Sequence, residues 1–417
     1  MLHCITSSIQ SILQVMVTVM MGAILSKFQY IDSNKQKWLS KLSMIFFTPC
    51  LLFSNIAPII HFEKFLEFWP IPVFFLLFTF ISWILCTTMS PLFRVSKHYQ
   101  RFVMGCVMFS NNNSLPVAIL SSLAVSEAGK VLLLDGEDSL ESVAARGISY
   151  TVFLALFSNL LRWSYGYNLL RNNDDDMERK MSSFNRNYGT IHNYQVSASS
   201  ENKLAAKKAK YDNLQTENEI EQLSPGTKKR SNRFLDFFHS INKFMSPPLW
   251  AALLGLVVGL TPPLKHIMYD KDSFVYASVT RSIESCGKAS VPIALVSLGA
   301  QLHSMQTKNN HVSEQDMRKP VALSIFIRMI LVPICVIPIV WLFSKFGQHI
   351  SNLAIDPMFI LAMIVMGCTP TAINLTQITQ VTGAFEEEML HVLFWSYGVI
   401  CIPVCTFVVF ISLTIVS

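Results

Sequence analysis

Asn111-Asn112-Asn113-Ser114-Leu115-Pro116 stands in the middle of residues 101–124, a stretch otherwise apolar enough to cross a membrane. Three consecutive carboxamides and a helix-breaking proline are costly at bilayer depth. An unpaired polar group there loses several kcal/mol, and a broken helix persists only when buried in protein or lining a cavity. A second interruption, Gly367-Cys368-Thr369-Pro370-Thr371-Ala372-Ile373-Asn374, falls at the corresponding point of the other half of the chain. Paired proline-broken spans at matching positions mark the binding site of a secondary transporter.

Composition agrees with a membrane setting. Of 417 residues, 51% are hydrophobic and only 14% are charged, against about 25% charged in a soluble domain. Nine cysteines all fall in or beside apolar segments, with no CxxC among them, which fits small buried side chains better than metal ligands. No nucleophile–base set, phosphate loop or metal cluster is present, so the expectation is no enzyme activity, no cofactor, no metal and no nucleic-acid partner. Residues 1–26 lack a basic leading region and run apolar for a full span, so the first span is expected to be retained rather than cleaved.

A span needs about 20 mostly apolar residues. Ten candidates follow, near residues 7–27, 38–60, 68–92, 101–124, 147–168, 246–264, 276–303, 320–346, 357–380 and 387–416. The expected class is therefore an all-α membrane protein of ten transmembrane helices. Residues 1–170 form one five-helix half and residues 246–417 the other. Residues 171–245 between them are polar, with Asn172-Asn173-Asp174-Asp175-Asp176 and basic clusters such as Lys228-Lys229-Arg230. They read as a largely disordered linker.

Basic residues set the orientation. Loops on the linker's side carry 23 Lys/Arg and those opposite carry seven. The linker is thus expected in the cytoplasm, with both termini on the lumenal or external face. Glu386-Glu387-Glu388 lies on the cytoplasmic side, where acidic residues count for little. Three short matches recur in order: Pro49-x-x-Leu52-x-Ser54-x-x-Ala57 with Pro292-x-x-Leu295-x-Ser297-x-x-Ala300; Pro116-x-Ala118-Ile119 with Pro370-x-Ala372-Ile373; and Trp163-Ser164-Tyr165-Gly166 with Trp395-Ser396-Tyr397-Gly398. An odd number of spans per copy forces the second copy to enter from the other face, so the expected architecture is a 5+5 inverted repeat.

Each break frees backbone N–H groups and points the positive end of a half-helix toward the midplane. Two such ends together can hold a carboxylate. Asn111, Asn112, Asn113 and Ser114 supply polar groups from span four; Thr369, Thr371 and Asn374 supply them from span nine. The competing reading is helix–helix glue, worth about 0.6 kcal/mol per polar contact. Three carboxamides beside a proline, mirrored in the other half, favour a site. Arg328, about 12 Å into span eight at 1.5 Å per residue, can attract an anion, pair with a carboxylate or snorkel to the surface. Ser54, Asn55 and Ser297 lie past the prolines of spans two and seven, able to face a substrate path or to pack. Trp163, Tyr165, Trp395 and Tyr397 read as anchors or packing residues. Lys288 reads as interfacial.

These motifs resemble the auxin efflux carrier family, especially its PIN-likes branch and fungal relatives. The resemblance rests on Phe47-Thr48-Pro49-Cys50-Leu51-Leu52-Phe53-Ser54-Asn55-Ile56-Ala57, Asn113-Ser114-Leu115-Pro116, Pro247-Pro248-Leu249-Trp250-Ala251, Arg328-x-Ile330-Leu331-x-Pro333, Pro370-x-Ala372-x-Asn374 and Trp395-x-Tyr397. It covers nearly all of the chain except the linker. The resemblance implies a fold like that of the bile-acid/sodium symporters, with broken helices four and nine crossed. Spans one, two, six and seven would form a scaffold that often dimerises, and the other six a domain that moves against it. Carried over, the carboxylate site would place Asn111, Asn113 and Pro116 against Pro370, Thr371 and Asn374. A short linker resembles the branch resident in the endoplasmic reticulum, with the plasma membrane as the alternative.

The expected function is transport or facilitated passage of a small organic anion, auxin-like, across an intracellular membrane. The expected partners are that anion, membrane lipid and a second copy of the chain. Two alternatives stand beside it: a non-transporting regulator acting through the linker, and a sodium-coupled organic-anion symporter.

Overall fold

A computed structural model describes residues 2–112, 114–124, 126–134, 138–171, 245–306 and 314–416. The expected linker, its disorder included, lies outside those residues. The segments flanking it pack as one compact unit.

Every regular element among the described residues is helical. In chain order those of eight residues or more are α1 (Leu2–Lys27), α2 (Ser33–Ile56), α3 (Pro70–Leu92), α4 (Lys97–Met108), α5 (Ser114–Ala124), α6 (Leu140–Leu170), α7 (Pro247–Leu260), α8 (Pro262–Tyr269), α9 (Arg281–Gln306), α10 (Met317–His349), α11 (Pro357–Cys368), α12 (Leu375–Thr382) and α13 (Glu386–Val416). Among the described residues, α2, α3, α6, α10 and α13 are long and apolar enough to cross a membrane, and the bent pair α7/α8 makes a sixth candidate. Leu13–Lys27, Leu115–Ala124 and Pro357–Cys368 are shorter apolar helices. The chain is an all-helical, multi-span membrane protein.

The expected sixth span, read as one helix over 246–264, is bent by 103° between α7 and α8. Thr261-Pro262-Pro263 causes it. A proline pushes the residue before it into extended backbone, and Thr261 sits at φ −106°, ψ 98°.

Packing sorts the helices around the second break. Residues 358–368 of α11 are all buried, as are 375–380 of α12. A helix apolar on every face belongs at a centre, and this one is enclosed by α6, α10 and α13. The interruption at Pro370 therefore lies in protein rather than lipid, the condition under which irregular backbone is tolerated at depth. On the other flank, α9 packs along α1 and α2, and α7 along α2. Glycine makes the closest approach there: a Cβ at Gly299 would meet the Val19 carbonyl oxygen at 1.8 Å, and one at Gly22 would meet that of Val296 at 2.2 Å. Small residues at crossing points let membrane helices touch backbone to backbone.

Two of the π-turns fall on the repeated Trp-Ser-Tyr-Gly motif, at Arg162–Gly166 and Ser396–Ile400. Such turns are rare and gather at functional sites. The three glutamates of 386–388 form the first turn of α13, where the helix dipole favours negative charge. Lys37 pairs with Glu386 at 3.0 Å.

Candidate functional site

The two interruptions meet. Phe109 leaves α4 in extended backbone at φ −103°, ψ 95°, and Thr369 leaves α11 at φ −66°, ψ 153°, as its position before Pro370 requires. The extended segments lie side by side as an antiparallel bridge at Ser110 and Thr371. Asn111 N–H donates to the Pro370 carbonyl at 2.8 Å, and Ala372 N–H donates to the Phe109 carbonyl at 2.9 Å. Each break thus satisfies backbone groups that the other has freed, which removes much of the cost of unwinding in a dry interior.

Side chains lock the crossing. Asn111 Nδ2 donates to Tyr397 Oη at 2.8 Å, and Tyr397 Oη donates to the Thr371 carbonyl at 2.9 Å. Thr371 Oγ1 donates to the Cys106 carbonyl at 2.8 Å. Ser110 Oγ donates to Asn112 Oδ1 at 2.8 Å. All of these side chains are buried.

Two buried arginines hold the carbonyl ends of the half-helices. Arg328 Nε donates to the Thr369 carbonyl at 2.7 Å, Nη2 to Gly367 at 3.0 Å and Nη1 to Val107 at 3.3 Å. Of the readings open for Arg328, snorkelling is excluded by its 3% exposure. Pairing with a carboxylate is not seen among the described residues. Arg162 Nη2 donates to the Ser110 carbonyl at 2.7 Å, and its Nη1 to Asn159 Oδ1 at 3.1 Å. Negative helix ends attract cations, and a guanidinium presents five donors in a rigid fork. One arginine therefore serves α4 and α11 together.

A cavity of about 320 Å³ opens beside the crossing. Asn111 and Tyr397 form its polar wall, with Gln14 and Thr18 of α1. Val15 of α1, Leu115 and Ala118 of α5 and Val291, Pro292 and Leu295 of α9 form the apolar remainder. Its volume and its mixture of an apolar lining with a few polar groups suit a small organic ligand.

Of the residues singled out from sequence, Asn111 lines this cavity, and Thr371 and Pro370 build the crossing beneath it. Asn112 and Pro116 are buried, and Asn374 is half-buried at the start of α12. Ser114 begins α5. Asn113 lies outside the described residues. Ser54 donates to its own helix at the Leu51 carbonyl and Asn55 is exposed; neither lines the cavity. Lys288 is exposed. Tyr397, read from sequence as a packing residue, belongs to the site, and its motif partner Tyr165 is exposed. Arg162, Gln14 and Thr18 carried no signal beyond being polar in an apolar run. Among the described residues no group of three His, Cys, Asp or Glu side chains could hold a metal ion.

The family described as membrane transport protein matches residues 7–409. An uncharacterized transporter of Schizosaccharomyces pombe is 32% identical over 98% of this chain and 95% of its own length. An uncharacterized transporter of Saccharomyces cerevisiae is 31% identical over 96% of this chain and 93% of its own. A PIN-LIKES protein of Arabidopsis thaliana is 22% identical over 88% of this chain and 86% of its own.

Proposed function

The chain belongs to the membrane transport protein family, the auxin efflux carriers, and on that premise we propose that it carries a small organic anion, an auxin-like carboxylate, across an intracellular membrane. The observation that supports this reading most is the cavity at the crossing, with the Asn111 amide and the Tyr397 hydroxyl on its wall. Two guanidinium groups lie behind that wall with backbone carbonyls as their partners. Uncompensated buried charge is costly, so a bound carboxylate gains from their field without touching them.

In this reading the chain has ten spans as a 5+5 inverted repeat, in halves 1–170 and 246–417, and broken helices α4/α5 and α11/α12 cross at the repeat interface. The repeated motifs and the antiparallel bridge support that arrangement. Asn111, Asn112 and Pro116 face Pro370, Thr371 and Asn374 about the site. The helices packed along α9 serve as scaffold and a dimer surface, and the group around α11 moves against them. The linker side is cytoplasmic, in the endoplasmic reticulum.

Sodium coupling is disfavoured by one observation. Carbonyls at half-helix ends are the usual ligands of a coupling cation in such crossings, and here Arg328 takes three of them.

Thermal unfolding of the purified protein against a panel of aromatic and aliphatic carboxylates tests the reading, since a ligand stabilises the folded state it binds. Stabilisation by indole-3-acetate or a related carboxylate, absent with the neutral amide of the same ring, supports it. Equal response to acid and amide overturns the anion assignment.

A further inference from the structure

A second polar array, outside the cavity's lining, adjoins it along α9. Gln377 and Gln380 sit three residues apart on α12, so both face one way, and both are buried against α2 and α9. Gln377 Oε1 accepts from Thr48 at 3.0 Å and its Nε2 donates to Ser43 at 3.1 Å. Gln380 Oε1 accepts from Ser297 at 3.2 Å and from Ser40, while its Nε2 donates to Gln301 at 2.6 Å. Each amide oxygen and nitrogen has a partner on the facing helices.

Such a seam is a poor choice for holding helices together. Polar contacts within a membrane protein add little stability because the separated helices find other partners, whereas burying amides and hydroxyls costs desolvation. An apolar seam of the same shape would pack as well. The two differ when they part. An apolar seam would expose hydrocarbon to water, but amides and hydroxyls exchange one another for water at small net cost.

Its position gives that difference a use. The antiparallel bridge sends the chain after each break in opposite directions. The cavity is lined from the first turns of α5, at Leu115 and Ala118; the seam runs along α12. The α12 helix packs beside Tyr167–Leu170, the end from which the chain leaves for the linker. On α9 the cavity residues Val291, Pro292 and Leu295 lie between Ser290 and Ser297 of the seam, so the seam adjoins the cavity, and it continues from there to Gln301 and along α12 beside the linker end. We propose that the seam is the other half of the substrate path, closed in this structure, and that it parts to form a water-filled, hydrogen-bonding vestibule on the linker side. The Lys37–Glu386 ion pair ties its outer edge between the starts of α2 and α13. This inference rests on the transport reading.

Ser297 is 0% exposed, and Ser290, whose hydroxyl lies 2.9 Å from that of Thr48 in the seam, is 2% exposed; Ser→Cys is nearly isosteric at both. Protein carrying Ser297→Cys or Ser290→Cys, in lipid nanodiscs, is treated with a charged, membrane-impermeant methanethiosulfonate, and labelling is read from peptide masses. Native Cys106, also 0% exposed, reports general breathing, and Thr18→Cys reports the cavity. The expected result is labelling at either seam position at least about ten-fold faster than at Cys106, the mark of an opening local to the seam. Labelling of Thr18→Cys with both seam positions no faster than Cys106 overturns the proposal and leaves the transport reading standing. If Thr18→Cys is inert as well, the cavity is closed to water and both fall.

Discussion

Asn111 and Tyr397, 286 positions apart, share a hydrogen bond of 2.8 Å, and the same tyrosine hydroxyl donates a hydrogen bond to the Thr371 carbonyl. One side chain from the last helix thus bridges both interruptions and borders the cavity. Tyr397→Phe should leave the fold intact but weaken it by about 1–3 kcal/mol, the usual cost of stranding a buried polar group. Flux should fall more than the loss of folded protein explains. Transport per folded molecule, normalised by size-exclusion yield, separates the two effects.

Arg328 serves two half-helices through three carbonyls. Arg328→Met strands those acceptors and should destabilise the protein by on the order of 3 kcal/mol, the range for hydrogen bonds to a buried charge. Arg328→Lys should rescue little, because an ammonium cannot copy the planar fork. Thermal unfolding of both variants checks this; full rescue by lysine would show that charge alone matters.

Sodium should be dispensable. With Arg328 on the carbonyls at the crossing, uptake into vesicles should run at the same rate in sodium and in potassium. A rate that rises with sodium and saturates would require a cation site elsewhere.

At one end of α6 and α11 an acidic cluster carries a pH dependence. Tyr150 Oη donates to Asp356 Oδ2 at 2.6 Å, and Arg146 lies 3.3 Å from the same oxygen and 2.7 Å from Asp138 Oδ2. Partial desolvation pushes the Asp138 carboxyl up, but the hydrogen bond from Arg146 and the others it accepts outweigh this and hold it below its ordinary value. A carboxyl so lowered stabilises the fold above its unfolded value of about 3.9 and loses that contribution as pH falls through its folded value. Asp138→Asn should therefore cost about 0.5 kcal/mol at neutral pH, the scale of a partly exposed pair. The gap from the unsubstituted protein should close on acidification below pH about 4.

Both breaks were legible in the sequence because their causes are local. Proline at 116 and 370, and carboxamides that compete with helical hydrogen bonding, act on neighbouring backbone wherever they stand. The membrane class was legible from composition, and the family from motifs spread over both halves. The bend at Thr261 was equally local, but it was hidden inside an apolar run that read as one span. What the sequence could not disclose are partnerships across hundreds of residues: Arg328 with Val107, Arg162 with Ser110, Gln380 with Ser40. A buried arginine looks the same in sequence whether it meets carbonyls, a carboxylate or the membrane surface. Tyr397 was legible as a repeated motif, yet its role depends on Asn111 reaching it.

The central claim is that an organic anion passes through the cavity walled by Asn111 and Tyr397. Its most direct test is uptake of labelled indole-3-acetate into vesicles reconstituted with the purified protein, beside Asn111→Leu at matched stability. The account predicts saturable uptake by the unsubstituted protein and uptake by Asn111→Leu no greater than that of empty vesicles. Equal saturable uptake by both proteins would contradict it.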